Sequence, residues 1–190
     1  MDRSPGELKR LLAPFILTAI LIVLDQVTKA VIVANVQRLE AGGPMIEVFG
    51  DFFRIIHVRN LGITFSIGSG LGPQLRRILF IVMPAIVIAG LLVYYFRTDE
   101  FTRLQRWAIA GIVAGGVGNL IDRVFRPEGV VDFLDVRFYG LFGLERWPTF
   151  NVADSSVVVC GILLIISVLF EKEHGSETHE QDGQYRTLHA

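Results

Sequence analysis

Two aspartates hold the chemistry this chain can do: Asp132 in the run VVDFLD and Asp154 in the run FNVAD. Both fall in, or at the edge of, the connector between the third and fourth apolar spans, on one side of a membrane. An acid at the centre of an inserted helix costs about 2.5–3.5 kcal/mol and less near its ends, so ionisable groups kept there are read first as functional. Two carboxyls that approach each other at that depth are suited to activating water. Their surroundings differ: Val130, Val131 and Phe133 flank Asp132 and favour its protonated form, whereas Asp154 falls in the first turn of a helix, where the macrodipole favours a carboxylate. Opposed environments divide acid from base, and the two groups titrate as a coupled pair. Which of them is the base stays open at this level. Asp122 and Asp135 lie on the same side, and Asp122 has Arg123 beside it to hold it ionised.

Other polar residues recur at spacings that a helix brings together. Asp25 and Lys29 are four apart with the acid first, the favourable order for a helical ion pair, and a structural tie is the leading reading. In the third span, glycines at 111 and 115, followed by Gly118, Asn119 and Asp122, place small residues and polar groups on one inward face. Packing explains those glycines. Asn119 and Arg123 are also suitable donors to a substrate carbonyl. Asn60 offers an amide and Gly62 permits a tight turn, while Asn151 reads as the N-cap of the fourth span. His57 reads as an interfacial strand residue, because no serine or cysteine nucleophile has a recognisable context. Cys160, the one cysteine, lies in an apolar run and is assigned to packing.

The elements that must position these residues are membrane helices. A chain of 190 residues that is 52% hydrophobic, with a mean hydropathy of +0.50, is too apolar for an ordinary soluble domain. A hydrocarbon core needs about 20 apolar residues per helix, and four segments qualify: 11–33, 75–96, 107–124 and 152–170. The fold class expected is a four-transmembrane-helix bundle with a small β-sheet platform and an outer loop at the periplasmic interface. Arg3, Lys9 and Arg10 before the first span, with Arg97, Arg103 and Arg106 in the short second connector, favour cytoplasmic termini. Eight arginines across the membrane dilute that bias. The outer connectors are then 34–74 and 125–151. Residues 45–53 and 53–66 read as strands, Arg126-Pro127-Glu128-Gly129 as a turn, and 130–138 as a further strand. Residues 1–170 form one domain, with a disordered cytoplasmic tail over 171–190 whose histidines, His174, His179 and His189, lack metal-ligand spacing. The first span carries Asp25 and Lys29 and no small-residue cleavage site, so it reads as a retained helix.

A net charge of −1 argues against nucleic-acid binding. A proton-coupled transporter would place its acids near the midplane between repeated halves, but here no repeat is visible and the acids gather at one end. A non-catalytic assembly factor is the third reading. A metalloprotease is a poorer one, since no HExxH occurs, and no cofactor or metal is implied.

Five motifs in order, Asp25-Gln26-Val27-Thr28-Lys29, Asn60-Leu61-Gly62-Ile63-Thr64-Phe65-Ser66, Gly115 through Arg123, Val130-Val131-Asp132-Phe133 and Phe150 through Asp154, resemble bacterial lipoprotein signal peptidase, signal peptidase II. The match runs from the first span through the fourth. The resemblance implies an aspartyl protease of the bacterial inner membrane that removes the signal peptide from prolipoproteins just before a diacylglyceryl-modified cysteine, working among membrane lipids without a cofactor. It carries the catalytic pair onto Asp132 and Asp154, and supporting roles onto Asp25, Lys29, Asn60, Gly62, Asn119, Arg123 and Asn151, with Asp122 inside the same motif. It also implies a small sheet from the first outer connector and a mobile lid from the second. Two departures stand out: Ile63 and Thr64 replace a pair of alanines, and the stretch from Asp135 to Asn151 is long.

Overall fold

The computed structural model describes residues 3–62 and 72–188, with the side chains of Pro73, Arg76 and 171–188 left aside. Helix α1 (Pro5–Leu12) opens on a capping box between Ser4 and Glu7 and ends where Pro14 starts α2 (Pro14–Asn35). Along α2 the buried residues include Thr18, Asp25, Lys29 and Ile32, one stripe at helical spacing, while Ile16, Ile20, Val23, Val27 and Val31 are exposed. Polar side chains point inward and apolar ones outward. That pattern suits hydrocarbon as the outer solvent.

Helix α3 (Pro73–Arg77) runs through a π turn at Ile78–Val82 into α4 (Met83–Arg97). The wider turn precedes Pro84, whose ring and missing N–H disrupt regular α pairing. Helix α5 (Arg103–Phe125) is the centre of the bundle and packs against α2, α4 and α6. Gly115 makes that approach possible: a Cβ there would stand 2.3 Å from the Ala153 carbonyl oxygen of α6. Helix α6 (Val152–Leu188) crosses with its apolar part, Val152–Phe170. Four helical stretches, Pro5–Ala41, Ile78–Arg97, Arg103–Phe125 and Val152–Phe170, are long and apolar enough to span a membrane. The α6 helix continues through residues 171–188, where the sequence predicts a disordered tail. Once a span has nucleated a helix, each added residue costs little, so a polar extension can stay helical.

The platform is a three-stranded antiparallel sheet in the order β1 (Ile46–Phe49), β2 (Phe53–Asn60), β3 (Val130–Val136). The connector between the third and fourth spans therefore supplies a strand as well as a loop. Phe150 pairs with Leu134 and Arg146 with Arg137, which ties that connector back onto β3. The turn before β3 forms as predicted, with the Gly129 N–H bonding the Arg126 carbonyl. Gly129 has φ +96°, and a Cβ would sit 2.4 Å from the Asn60 carbonyl oxygen, so glycine alone fits. The strand-like reading of 61–66, with the departures at Ile63 and Thr64, lies from residue 63 onward outside the described residues. Beneath the sheet, Ile32, Val36, Val131 and Phe133 form an apolar cluster against the end of α2.

Candidate active site

Backbone register delivers Asp132. On β3 it stands opposite Val58, two residues before Asn60, and is 3% exposed. The Asn60 amide donates to one carboxyl oxygen at 2.9 Å, and the Asn151 amide donates to the other at 2.7 Å. The Asn60 Oδ1 in turn accepts the Gly62 N–H at 3.0 Å, so the glycine turn fixes the amide that serves the acid.

Helix capping delivers Asp154. Asn151 caps α6 by accepting the Asp154 N–H at 2.9 Å, and the Asp154 carboxyl accepts the Asn151 N–H at 3.1 Å, a reciprocal box. The other Asp154 oxygen accepts from the Asn119 amide at 2.7 Å. Asn151 thus touches both acids, through its side-chain amide at Asp132 and its backbone at Asp154. The two carboxyls converge on one residue.

Beneath them lies a buried ionic knot. The Lys29 ammonium, wholly inaccessible, meets Asp25 at 2.9 Å and Asp122 at 3.0 Å, and donates to Asn119 Oδ1 at 3.1 Å. Asp25 further accepts the Ala153 N–H of α6 at 2.9 Å, and Asp122 the Val131 N–H of β3 at 3.2 Å. One cation and two anions therefore bind α2, α5, α6 and β3 together directly under the pair. Gln26, which sequence reasoning passed over, donates to Asp25, Asp122 and the Gly118 carbonyl. Its signal was available: Gln26 follows a buried acid and repeats the same inward face three residues before Lys29.

The ion pair foreseen between Asp122 and its neighbour Arg123 does not form. Consecutive helix residues point about 100° apart, so Asp122 turns to Lys29 and Arg126 while Arg123 faces a cavity of about 180 Å³ with Asn60, Arg77 and Gly129. Asp135 is also removed from contention. Arg54 holds it at 2.8 Å and Arg146 at 2.7 Å, in a surface network with Asp51 and Arg137. That network, spread over residues 51 to 146, is invisible in sequence because strand pairing creates it. His57 is a buried strand residue whose Nδ1 lies 2.8 Å from the Val36 carbonyl.

The acids at this end now sort by partner. Asp25 and Asp122 share Lys29, and Asp135 is held by two guanidiniums. Among the described residues, Asp132 and Asp154 have no cation within ion-pair distance and are held by neutral amides instead. For Asp132 the effect is large: burial, then the nearby Asp154 charge, raises its pKa to about 7 against the pull of the Asn60 and Asn151 amides. Near neutrality Asp132 is therefore poised between its protonated and ionised forms. Such a pair can donate and accept protons on opposite sides of one bound molecule. No cluster of His, Cys, Asp or Glu suited to a metal ion occurs among the described residues.

Residues 17–170 match the family model described as signal peptidase (SPase) II. A lipoprotein signal peptidase of Treponema pallidum is 47% identical over 177 residues, covering 92% of this chain and 94% of that protein. Those of Treponema denticola and Borrelia turicatae are 49% and 48% identical, over 83% and 88% of this chain. A bacterial membrane enzyme structure determined by the in meso method at 2.3 Å superimposes with a TM-score of 0.72 at 31% identity, covering 85% of this chain and 90% of that one.

Proposed function

The chain belongs to the signal peptidase II family, and on that premise we propose that it is an aspartyl endopeptidase that removes the signal peptide from prolipoproteins, cutting before the diacylglyceryl-modified cysteine. The observation that carries the reading is the sorting of the acids: among the described residues, only Asp132 and Asp154 converge on Asn151 with no cation within ion-pair distance.

The steps follow from the partners of each carboxyl. Asp154, at the amino end of α6, is the carboxylate and takes a proton from a water held between the two acids. The water oxygen attacks the scissile carbonyl carbon while protonated Asp132 donates to the carbonyl oxygen, giving a neutral gem-diol and an ionised Asp132. The gem-diol then returns a proton to Asp132 as the C–N bond breaks, and Asp154 passes its proton to the departing amine. No acyl-enzyme forms, and both acids end as they began. Asn60 and Asn151 hold Asp132, Asn119 holds Asp154, and Lys29 with Asp25 and Asp122 fixes the floor. Arg123 lines the approach, where its guanidinium can serve the substrate backbone, and the Gly62 N–H holds the Asn60 side chain in place.

In this reading the enzyme sits in the bacterial inner membrane with both termini cytoplasmic and the pair at the periplasmic boundary. Residues 1–170 are the peptidase and 171–190 a polar cytoplasmic tail. The substrate's acyl chains then remain in the bilayer during cleavage. No nucleic acid and no cofactor take part. The test is shortening of a diacylglyceryl-modified precursor by protein reconstituted in vesicles. Asp132→Asn and Asp154→Asn each abolish it, whereas Asp135→Asn retains it; full activity in either of the first two variants overturns the assignment.

A further inference from the structure

A second cavity of about 780 Å³ opens at the opposite end of the bundle, where α2 begins, α4 ends and α5 begins. Cations crowd it: Arg3, Lys9 and Arg10 from the amino-terminal segment and α1, and Arg103 and Arg106 from the first turn of α5. Among the described residues lining it, only Glu7 and Asp99 oppose these five, Glu7 being held in a helix cap and Asp99 by one of the five, Arg3. Glu7 accepts the Ser4 N–H at 2.8 Å in the capping box of α1, and Asp99 pairs with Arg3 at 3.5 Å. Lys9, Arg10 and Arg103 have no acid within ion-pair distance among the described residues.

The α5 terminus adds to the imbalance. A helix begins with a partial positive charge that acidic residues ordinarily offset, yet the first turn of α5 has no acid and instead presents Arg103 and Arg106. Arg106 lies over the rings of Tyr95 and Phe101, 5.3 and 5.9 Å from their centroids, and its Nη2 donates to the Thr98 carbonyl at 3.4 Å. Its Nη1 is shut off from solvent and has no hydrogen-bond partner among the described residues. The Tyr95 hydroxyl donates to the carbonyl of Leu11, one of the lining residues, at 2.8 Å. Leu8 and Leu12 of α1 are each 48% exposed beside the charged face. An amphipathic first helix at the point where spans leave the hydrocarbon puts this basic hollow level with lipid headgroups.

From the gathering of five cations in one cavity, three of them without an acid partner, and the acid-free first turn of α5, we infer that this cavity binds a phosphate anion, at the membrane face remote from Asp132 and Asp154. A singly charged phosphodiester satisfies the charge: its oxygens accept from the exposed Arg103, Lys9 and Arg10, while Arg106, held over the Tyr95 and Phe101 rings, adds its charge from the wall. The volume lies in the range of pockets that enclose a small ligand or headgroup.

The experiment uses the full chain in detergent and in nanodiscs, with phosphatidylglycerol, phosphatidylcholine or inorganic phosphate as the probe. Native mass spectrometry counts retained lipid and a melting curve reads stabilisation. Wild-type protein should retain phosphatidylglycerol over phosphatidylcholine. The variant Lys9→Gln/Arg10→Gln/Arg103→Gln, which changes only exposed side chains, should lose about fivefold in affinity per charge, roughly a hundredfold in all. Its processing of precursor in neutral lipid should stay at the wild-type rate, which shows that it is folded. If inorganic phosphate alone raises the melting temperature of the wild type and not of the variant, the site stands with the free anion as its source. Equal retention of phosphatidylglycerol by both proteins, or no response of the wild type to either anion, overturns it.

Discussion

Asn151 is the residue on which the two acids meet, and substituting it by serine separates its two tasks. A serine hydroxyl caps a helix about as well as an asparagine side chain, so Asn151→Ser keeps an acceptor for the Asp154 N–H and leaves α6 intact. What disappears is the side-chain amide, which donates to Asp132 at 2.7 Å and, at longer range, to Asn119 Oδ1 at 3.1 Å and the Val131 carbonyl at 3.4 Å. A hydrogen bond to a charged group contributes about 1.5–3 kcal/mol, and one pH unit corresponds to about 1.4 kcal/mol, so the ionised form of Asp132 loses the equivalent of about one to two pH units. Its pKa therefore moves upward from about 7. With Asp132 as the acid, as proposed, the alkaline limb of kcat/KM for precursor cleavage should move to higher pH by that amount, while the rate at the optimum falls by up to about a hundredfold from lost positioning. Asn151→Ala loses the cap as well and should melt lower by about 1 kcal/mol, with the same displacement of the limb. An alkaline limb that stays in place, or moves to lower pH, in Asn151→Ser refutes the assignment of Asp132 as the acid.

Asp132 also ties stability to pH. Its folded value of about 7 exceeds the ordinary carboxylate value of 3.8, so between these limits the folded state keeps a proton that the unfolded chain releases, and stability falls as pH rises through that window. Asp132→Asn cannot titrate, and its melting advantage should be near zero at about pH 4 and grow to about 4 kcal/mol by about pH 8; an advantage independent of pH contradicts this. Lys29→Met strips the cation from Asp25, Asp122 and Asn119 and should cost about 3–5 kcal/mol in detergent melts; a melting curve matching the wild type would mean that the knot is not what holds the helices together. Gly115→Ala drives a Cβ against the Ala153 carbonyl at 2.3 Å and should destabilise by about 1–3 kcal/mol, whereas Gly90→Ala, with nothing within 4 Å, should be neutral or gain up to about 1 kcal/mol; equal effects of the two would remove the close α5–α6 approach as a cause.

The amino-acid sequence by itself determined the membrane class, the four spans, the turn at Arg126–Gly129, the cap at Asn151 and the inward glycine face, because each depends on neighbours within one helical turn or one apolar run. It also narrowed the chemistry to a short set of acids at one end of the bundle. Only the tertiary structure decided which acids of that set are free. Asp122 was paired in sequence with Arg123, yet a helix separates adjacent side chains, and Lys29 from α2 takes its place. Asp135 lies three residues along the same strand as Asp132, an odd spacing that turns it to the opposite face of the sheet, and the pairing of β2 with β3 and the return of the following loop bring Arg54 and Arg146 onto it. Electrostatic partnership acts through space at about 3 Å and takes no account of chain separation, so which carboxyls are neutralised and which stay available is settled where α2, α5, α6 and β3 meet.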